Sequence, residues 1–350
     1  MIFANPFKLS PHLDFPKENN LDLLRLVFAV QVILQHAGQH LGSNIPTFFS
    51  YFPGVPAFFF VSGFLIYSSY QCSSPQRYFQ NRCLRLFPAL VLVAFGGLFV
   101  LLCAKGWGYL LDHFSLILFW FLGQITLLQA FNPTQFNDVG VGVINGALWT
   151  ITTEIIFYLF IPVLVFCERK YQHSLLLFIL ISLVVYTMGN DLLKIPIYGD
   201  NTVYDFLSLT PVVWGWMFGL GILSVKYFYF IKKALPYLIS SILPIGWMIH
   251  SNCQGIWFKC SGNNLGIFYF ISYASLILWS AFFLPSFKIK SDLSYGLYIW
   301  HMPIINLLLI FNKPSLPVAL ACCLLSAMFS WFIVERNALK LKRSSLRYVQ

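Results

Sequence analysis

The sequence predicts an all-α fold, a polytopic membrane helical bundle of about ten transmembrane helices plus one re-entrant or interfacial helix. Three observations carry this. Of 350 residues, 58% are hydrophobic and only 10% charged. A soluble domain carries about 25% charged residues, so lipid must solvate most of this surface. Apolar stretches of membrane-spanning length, about 20 residues, recur along the chain. The basic residues behind the net charge of +10 gather after every second stretch, as the positive-inside rule requires. That rule accounts for most of the charge, and no nucleic-acid partner is implied.

Residues 1–20 are polar and Pro-containing, with neither the apolar core nor the small-residue cleavage site of a signal peptide. They read as a cytosolic N-terminal segment, and the first span acts as an uncleaved insertion signal. Spans are expected near 21–41, 52–70, 86–104, 146–167, 173–189, 206–225, 234–250, 264–284, 293–311 and 316–335. Arg77, Arg82 and Arg85 follow the second, Arg169 and Lys170 the fourth, and Lys226, Lys232 and Lys233 the sixth. Lys288 and Lys290 follow the eighth, and Lys340, Lys342, Arg343 and Arg347 the tenth. Ten spans place all of these on one side, with both termini cytosolic. Residues 21–336 then form one transmembrane domain and 337–350 a basic cytosolic tail. The segment 114–130, FSLILFWFLGQITLLQA, is apolar enough to cross. A crossing there would send every later basic cluster outside. An external helix, re-entrant or interfacial, is therefore expected, which is tolerated when buried in protein.

The cysteines show no ligand-like spacing, and no metal site is indicated. Cys103, Cys167, Cys322 and Cys323 fall in or at the ends of spans, where cysteine packs as a small apolar residue. Cys253 and Cys260 flank a short polar loop that would allow a disulfide in an oxidising compartment.

Several polar residues do not belong in lipid. Arg25 and His36 lie in one apolar helical stretch, LDLLRLVFAVQVILQHAGQHL. Their eleven-residue step is about three turns, so both point to nearly the same face about 16 Å apart. Glu154, in WTITTEIIFYLFIP, falls in the same outer half of the membrane as His36 by residue counting. Ser294, Tyr298 and His301 share one face of the ninth span, and Glu335 and Arg336 close the tenth. Each has a plainer reading. Arg25 can anchor its helix by snorkelling, His36 can bond a neighbouring helix, and His301 reads more readily as structural than catalytic. Glu154 is harder to dismiss, because a carboxylate in lipid is costly and usually functional. A His and a Glu at matched depth suit general-base chemistry, the carboxylate fixing the imidazole tautomer. A rim of Arg25, Arg82 and Arg85 suits a phosphate-bearing anion. Depth alone fits an enzyme and a transport path alike.

On these residues the chain resembles the acyltransferase-3 family of integral membrane O-acyltransferases, over about residues 19–336. Arg25 and His36 fit its Arg-x10-His element, and PGVPAFFFVSGFLI, with Ser62 and Gly63, fits its aromatic–Ser–Gly span. RYFQNRCLRLFPAL supplies Arg-x-x-Arg, and ALWTITTEIIFYLFIP supplies Trp149, Glu154, Tyr158 and Pro162. LSYGLYIWHMPI fits the late Tyr…His-x-Pro element, and VERN resembles a closing Val-Glu-Arg-Pro with Asn337 in place of Pro. The resemblance implies transfer of an acyl group, usually acetyl, from cytosolic acyl-CoA to a hydroxyl of an extracytoplasmic carbohydrate such as O-antigen or exopolysaccharide. Acyl-CoA, acetyl-CoA in the usual case, would be a co-substrate, no cofactor being held permanently. The setting implied is the bacterial cytoplasmic membrane. Carried-over roles fall on His36 as catalytic base or transient acyl carrier, Glu154 as its support, and Arg25, Arg82 and Arg85 as coenzyme A contacts. Ser62, Trp149, Tyr158, Tyr298, His301 and Glu335 are further site candidates. The alternative is a transporter or flippase for a surface-glycan precursor, with the intramembrane Arg, His and Glu as its path. The matching Gly/Pro-broken helices of inverted repeats are not found.

Overall fold

The computed structural model describes residues 15–198 and 201–341. The expectations for residues 1–14 and for Lys342, Arg343 and Arg347 lie outside them. The chain runs α1 (Leu21–His40), α2 (Gly54–Gln71), α3 (Pro75–Asp112), α4 (Phe114–Gln124), α5 (Trp149–Lys170) and α6 (Ser174–Leu192). A two-stranded antiparallel link, β1 (Pro196–Tyr198) and β2 (Asn201–Thr202), leads to α7 (Val203–Ser208) and α8 (Pro211–Lys226). Then follow α9 (Phe228–Leu238), α10 (Ile242–His250), α11 (Gly255–Phe258), α12 (Ile267–Phe282), α13 (Ser294–Ile310), α14 (Leu316–Ser330) and α15 (Arg336–Lys340). A π-turn, Trp331–Glu335, joins the last two.

Among the described residues, seven helical segments are long and apolar enough to cross a membrane. They are Leu21–His40, Thr47–Gln71, Pro75–Asp112, Gly146–Lys170, Val203–Lys226, Phe228–His250 and Leu316–Lys340. Ten crossings were expected, and length and composition alone account for seven of them. The expected spans 173–189, 264–284 and 293–311 appear as shorter apolar helices, Ser174–Gly189, Ile267–Phe282 and Ser294–Ile310. The ends of the last two explain their shortening. Pro285 lies just beyond α12, and α13 ends at Ile310, two residues before Asn312, whose φ of 52° is left-handed, with Pro314 after it. Outward-facing side chains such as Phe166 (68% exposed), Leu243 (72%) and Leu325 (65%) are apolar, as lipid contact demands. The segment α4 has 11 residues, so it is about 16 Å long, half the hydrocarbon thickness.

The Arg-x-x-Arg element, expected to follow the second span ahead of residues 86–104, is itself helical. Pro75 opens α3 at the position where a missing N–H costs nothing, so Arg77, Arg82 and Arg85 ride its first three turns. From Arg85 to Lys105 the helix carries no charge, a length of about 30 Å. The helix bends at Gly106, where φ is 80° and ψ 170°.

The chain divides into two compact units whose segments alternate in sequence. The first comprises residues up to Leu24, Tyr51–Phe79 and Ile156–Ile289. Within it α2 and α8 cross at glycines. A Cβ on Gly63 would stand 2.0 Å from the Phe218 carbonyl oxygen, and one on Gly221 would stand 2.1 Å from that of Phe60. Small residues let membrane helices approach this closely, which gives the Ser-Gly element a packing reason. Pro162 in α5 removes the N–H that would pair with the carbonyl of Tyr158. The Tyr78 hydroxyl donates to that carbonyl at 3.1 Å.

The second unit comprises Arg25–Ser50, Gln80–Ile155 and residues from Lys290 on. Trp120 and Ile117 of α4 pack with Phe136, Val139 and Ile144 against Val100 and Leu101 of α3. One face of this segment is thus packed on protein, while Phe114 and Phe119 on α4 are exposed. The same proline device recurs in α13. Pro303 leaves the Ile299 carbonyl without its helical donor, and Asn145 Nδ2 donates to it at 2.9 Å. Asn306, fully buried, donates to the carbonyls of Val143 and Ile144 and accepts from the Val141 N–H at 2.8 Å. Gly140, at φ 56°, makes room for it. A Cβ there would stand 2.0 Å from Asn306 Oδ1.

Candidate functional site

The site builds within the second unit, around α1 and α13, which are joined at two levels. At the first level Asp292, just ahead of α13, accepts from Arg25 Nη1 at 3.0 Å and Arg85 Nη2 at 2.5 Å through the same oxygen, Oδ2. Its other oxygen accepts from the Ser294 hydroxyl at 2.5 Å and the Ser294 N–H at 3.3 Å, capping the helix start. One carboxylate therefore ties the beginnings of α1, α3 and α13. Burial pushes the Asp292 carboxyl up, but Arg25 and Arg85 outweigh it and hold it well below the usual carboxylate range. Glu335, buried, accepts from the Ser330 hydroxyl at 2.7 Å across the π-turn. It lies within electrostatic range of Arg85, Asp292 and Arg25.

The second level lies three turns along α1. His36 Nδ1 is 2.7 Å from His301 Nε2, with the rings 4.9 Å apart and inclined by 26°. His301 is completely buried, and its Nδ1 lies 2.5 Å from the Tyr298 carbonyl oxygen. The Tyr298 hydroxyl lies 2.7 Å from Thr150 Oγ1 and 3.3 Å from the Ala147 carbonyl, so α13 also grips the start of α5. Glu154, one turn beyond Thr150, is half-buried and within electrostatic range of Tyr298. His36 Nδ1 thus faces His301, and Glu154 lies near the Tyr298 end of the same network.

Arg25, Arg85, His36, Trp149, Glu154, Tyr298, His301 and Glu335 all belong to the second unit, as does half-buried Arg82, one turn before Arg85. Trp149 opens α5, its carbonyl accepting from the Thr153 hydroxyl at 3.3 Å. Ser62 and Tyr158 belong to the first unit. Sequence reasoning passed over Asp292. It sits in a polar loop, SFKIKSDLSYG, and its one signal was an acidic residue just ahead of a helix that starts at Ser294. No group of three or more His, Cys, Asp or Glu that could hold a metal occurs among the described residues. Cys253 and Cys260 are free thiols, with Cys260 Sγ 3.7 Å from the Cys253 carbonyl.

A family model described as an acyltransferase domain matches residues 18–336. Nodulation protein 10 of Rhizobium leguminosarum bv. viciae is 29% identical, covering 93% of this chain and 94% of its own length. The O-acetyl transferase of Shigella phage Sf6 is 24% identical over 92% of this chain and 96% of its own length. No solved structure matches.

Proposed function

We infer the reaction from the family: the chain belongs to the acyltransferase-3 family of membrane acyltransferases. It moves an acyl group, acetyl in our reading, from cytosolic acyl-CoA to a hydroxyl of an extracytoplasmic carbohydrate such as O-antigen or exopolysaccharide. The O-acetyl transferase among its relatives supports the choice of acetyl. One observation carries the site assignment. A basic cluster organised by Asp292 and an imidazole pair stand on the same two helices, α1 and α13, about three turns apart. The first suits the phosphates of coenzyme A, since guanidinium forks match phosphate oxygens. We assign that role to Arg25, Arg82 and Arg85. The second supplies a base. His36 takes the proton of the acceptor hydroxyl as its oxygen attacks the thioester carbonyl. The C–S bond then breaks, and the leaving thiolate recovers the proton from His36. Glu154 supports the charge that forms on His36, acting through the Tyr298 end of the network.

We read the chain as crossing the bacterial cytoplasmic membrane ten times, the three shorter apolar helices included. Ion pairs between helix ends support this. Glu168 at the end of α5 meets Lys226 at the end of α8 at 2.5 Å, so α6 must carry the chain away and α8 return it. Glu18 before α1 meets Lys288 after α12 at 2.5 Å, which asks the same of α12. Asp292 begins α13 beside Arg25 and Arg85, and Glu335 ends the α14 segment within their field. In the first unit the ends so defined carry Arg77, Arg169, Lys170, Lys226, Lys232, Lys233 and Lys288, with Lys194 and Lys259 at the opposite ends. In the second they carry Arg82, Arg85 and Lys290, with Lys105 and Lys313 opposite. By the positive-inside rule the ends richer in basic residues are cytosolic. Mass spectrometry of surface polysaccharide tests the function. Acetyl esters should be present in cells that make the protein and absent when it is removed. An unchanged pattern would contradict the assignment.

A further inference from the structure

We propose that His301 is a positioning residue that locks His36 in the tautomer with its proton on Nδ1 and its lone pair on Nε2. The proposal rests on His36 being the base and adds how its reacting nitrogen is chosen. A neutral imidazole has one nitrogen that donates and one that accepts. His301 Nδ1 lies 2.5 Å from the Tyr298 carbonyl oxygen, which can only accept. That nitrogen therefore carries the proton, and Nε2 holds a lone pair. The lone pair faces His36 Nδ1 at 2.7 Å, so His36 Nδ1 must be the donor. The remaining nitrogen of His36, Nε2, is then the basic one. A charged His301 would place its charge, at 0% exposure, between a second imidazole and a carbonyl, an arrangement that burial heavily disfavours.

The lock is itself held. The Tyr298 hydroxyl is fixed by Thr150 and Ala147. The next carbonyl along α13, that of Ile299, is fixed by Asn145. The turn presenting the Tyr298 carbonyl is thus anchored on both sides. During transfer the proton from the acceptor hydroxyl arrives at His36 Nε2. The Nδ1–H bond to His301 becomes charge-assisted at that moment and strengthens. His301 keeps its own proton throughout, so it neither gains nor loses a group in the reaction.

Two substitutions separate positioning from simple packing. His301→Gln places an amide oxygen where Nε2 stands and still accepts from His36 Nδ1. His301→Leu removes the acceptor. Wild-type kcat should survive in His301→Gln to within about tenfold and fall by at least about 100-fold in His301→Leu, with donor KM unchanged in both. Nitrogen-15 NMR of histidine-labelled wild-type protein, with the His36 signals identified by difference against His36→Gln, should show a protonated Nδ1 and an unprotonated Nε2. Equal kcat in the two His301 variants, or a His36 proton on Nε2 in the wild type, would overturn the proposal. The NMR measurement needs no activity and no His301 variant that folds. Full activity in His36→Gln would instead overturn the base assignment beneath it.

Discussion

At Asp292 a single carboxylate decides where two arginines stand. Its pKa is depressed in the folded protein because the pull of Arg25 and Arg85 exceeds the burial penalty. A carboxyl held below its unfolded value of about 4 adds stability above that pH and loses it as pH falls toward the folded value. Asp292→Asn should therefore lower stability by about 3 kcal/mol at pH 7, the low end for removing one partner of a buried pair. Thermal unfolding in detergent would show it, and the gap from wild type should narrow at acid pH. A gap independent of pH would mean that the arginines are held by something other than this charge. At this scale the sequence was legible where a polar residue broke an apolar helix, as Arg25, His36 and Glu154 do. It was silent where partners are distant. His301 lies 265 positions from His36, a separation that no periodicity reports, and Asp292 resembled any other loop acid.

The elements follow from how proline is used in a solvent without water. In lipid each backbone group freed by a proline must find another partner. Tyr78 serves Pro162 and Asn145 serves Pro303. The Pro and Tyr of these motifs could be read in the sequence, but their partners could not, because Tyr78 and Asn145 lie on other elements. Helix α3 begins ahead of the expected span 86–104 because its first turns are polar and fall outside the apolar stretch. Only the structure places Arg82 and Arg85 on the helix itself. Asn145→Ala should cost about 1–3 kcal/mol by leaving the Ile299 carbonyl unpaired. Adding Pro303→Ala restores an N–H at the right place, so the double variant should recover much of that loss. A double-mutant cycle in unfolding free energy measures the coupling. Additive losses would show that Asn145 acts elsewhere.

For the whole molecule, membrane character and the approximate span positions were legible because hydropathy records lipid contact directly. The ends of α12 and α13 were less so, because the apolar pattern continues through Phe283, Leu284 and Phe311 beyond the last helical turn. Native thiols test the resulting topology. Cys253, in the loop 251–262, should react with a membrane-impermeant maleimide from outside intact cells. Cys72 and Cys83, exposed near the α2–α3 connection, should react only after permeabilisation. Labelling of Cys253 only from the cytosolic side would contradict ten crossings.

The central claim is that His36 carries an acyl transfer across this fold. Its most direct test is transfer of labelled acetyl from acetyl-CoA to surface polysaccharide by membranes holding equal amounts of wild type or His36→Gln. The account predicts a loss of at least about 100-fold, with coenzyme A binding retained. Undiminished transfer by His36→Gln would contradict it.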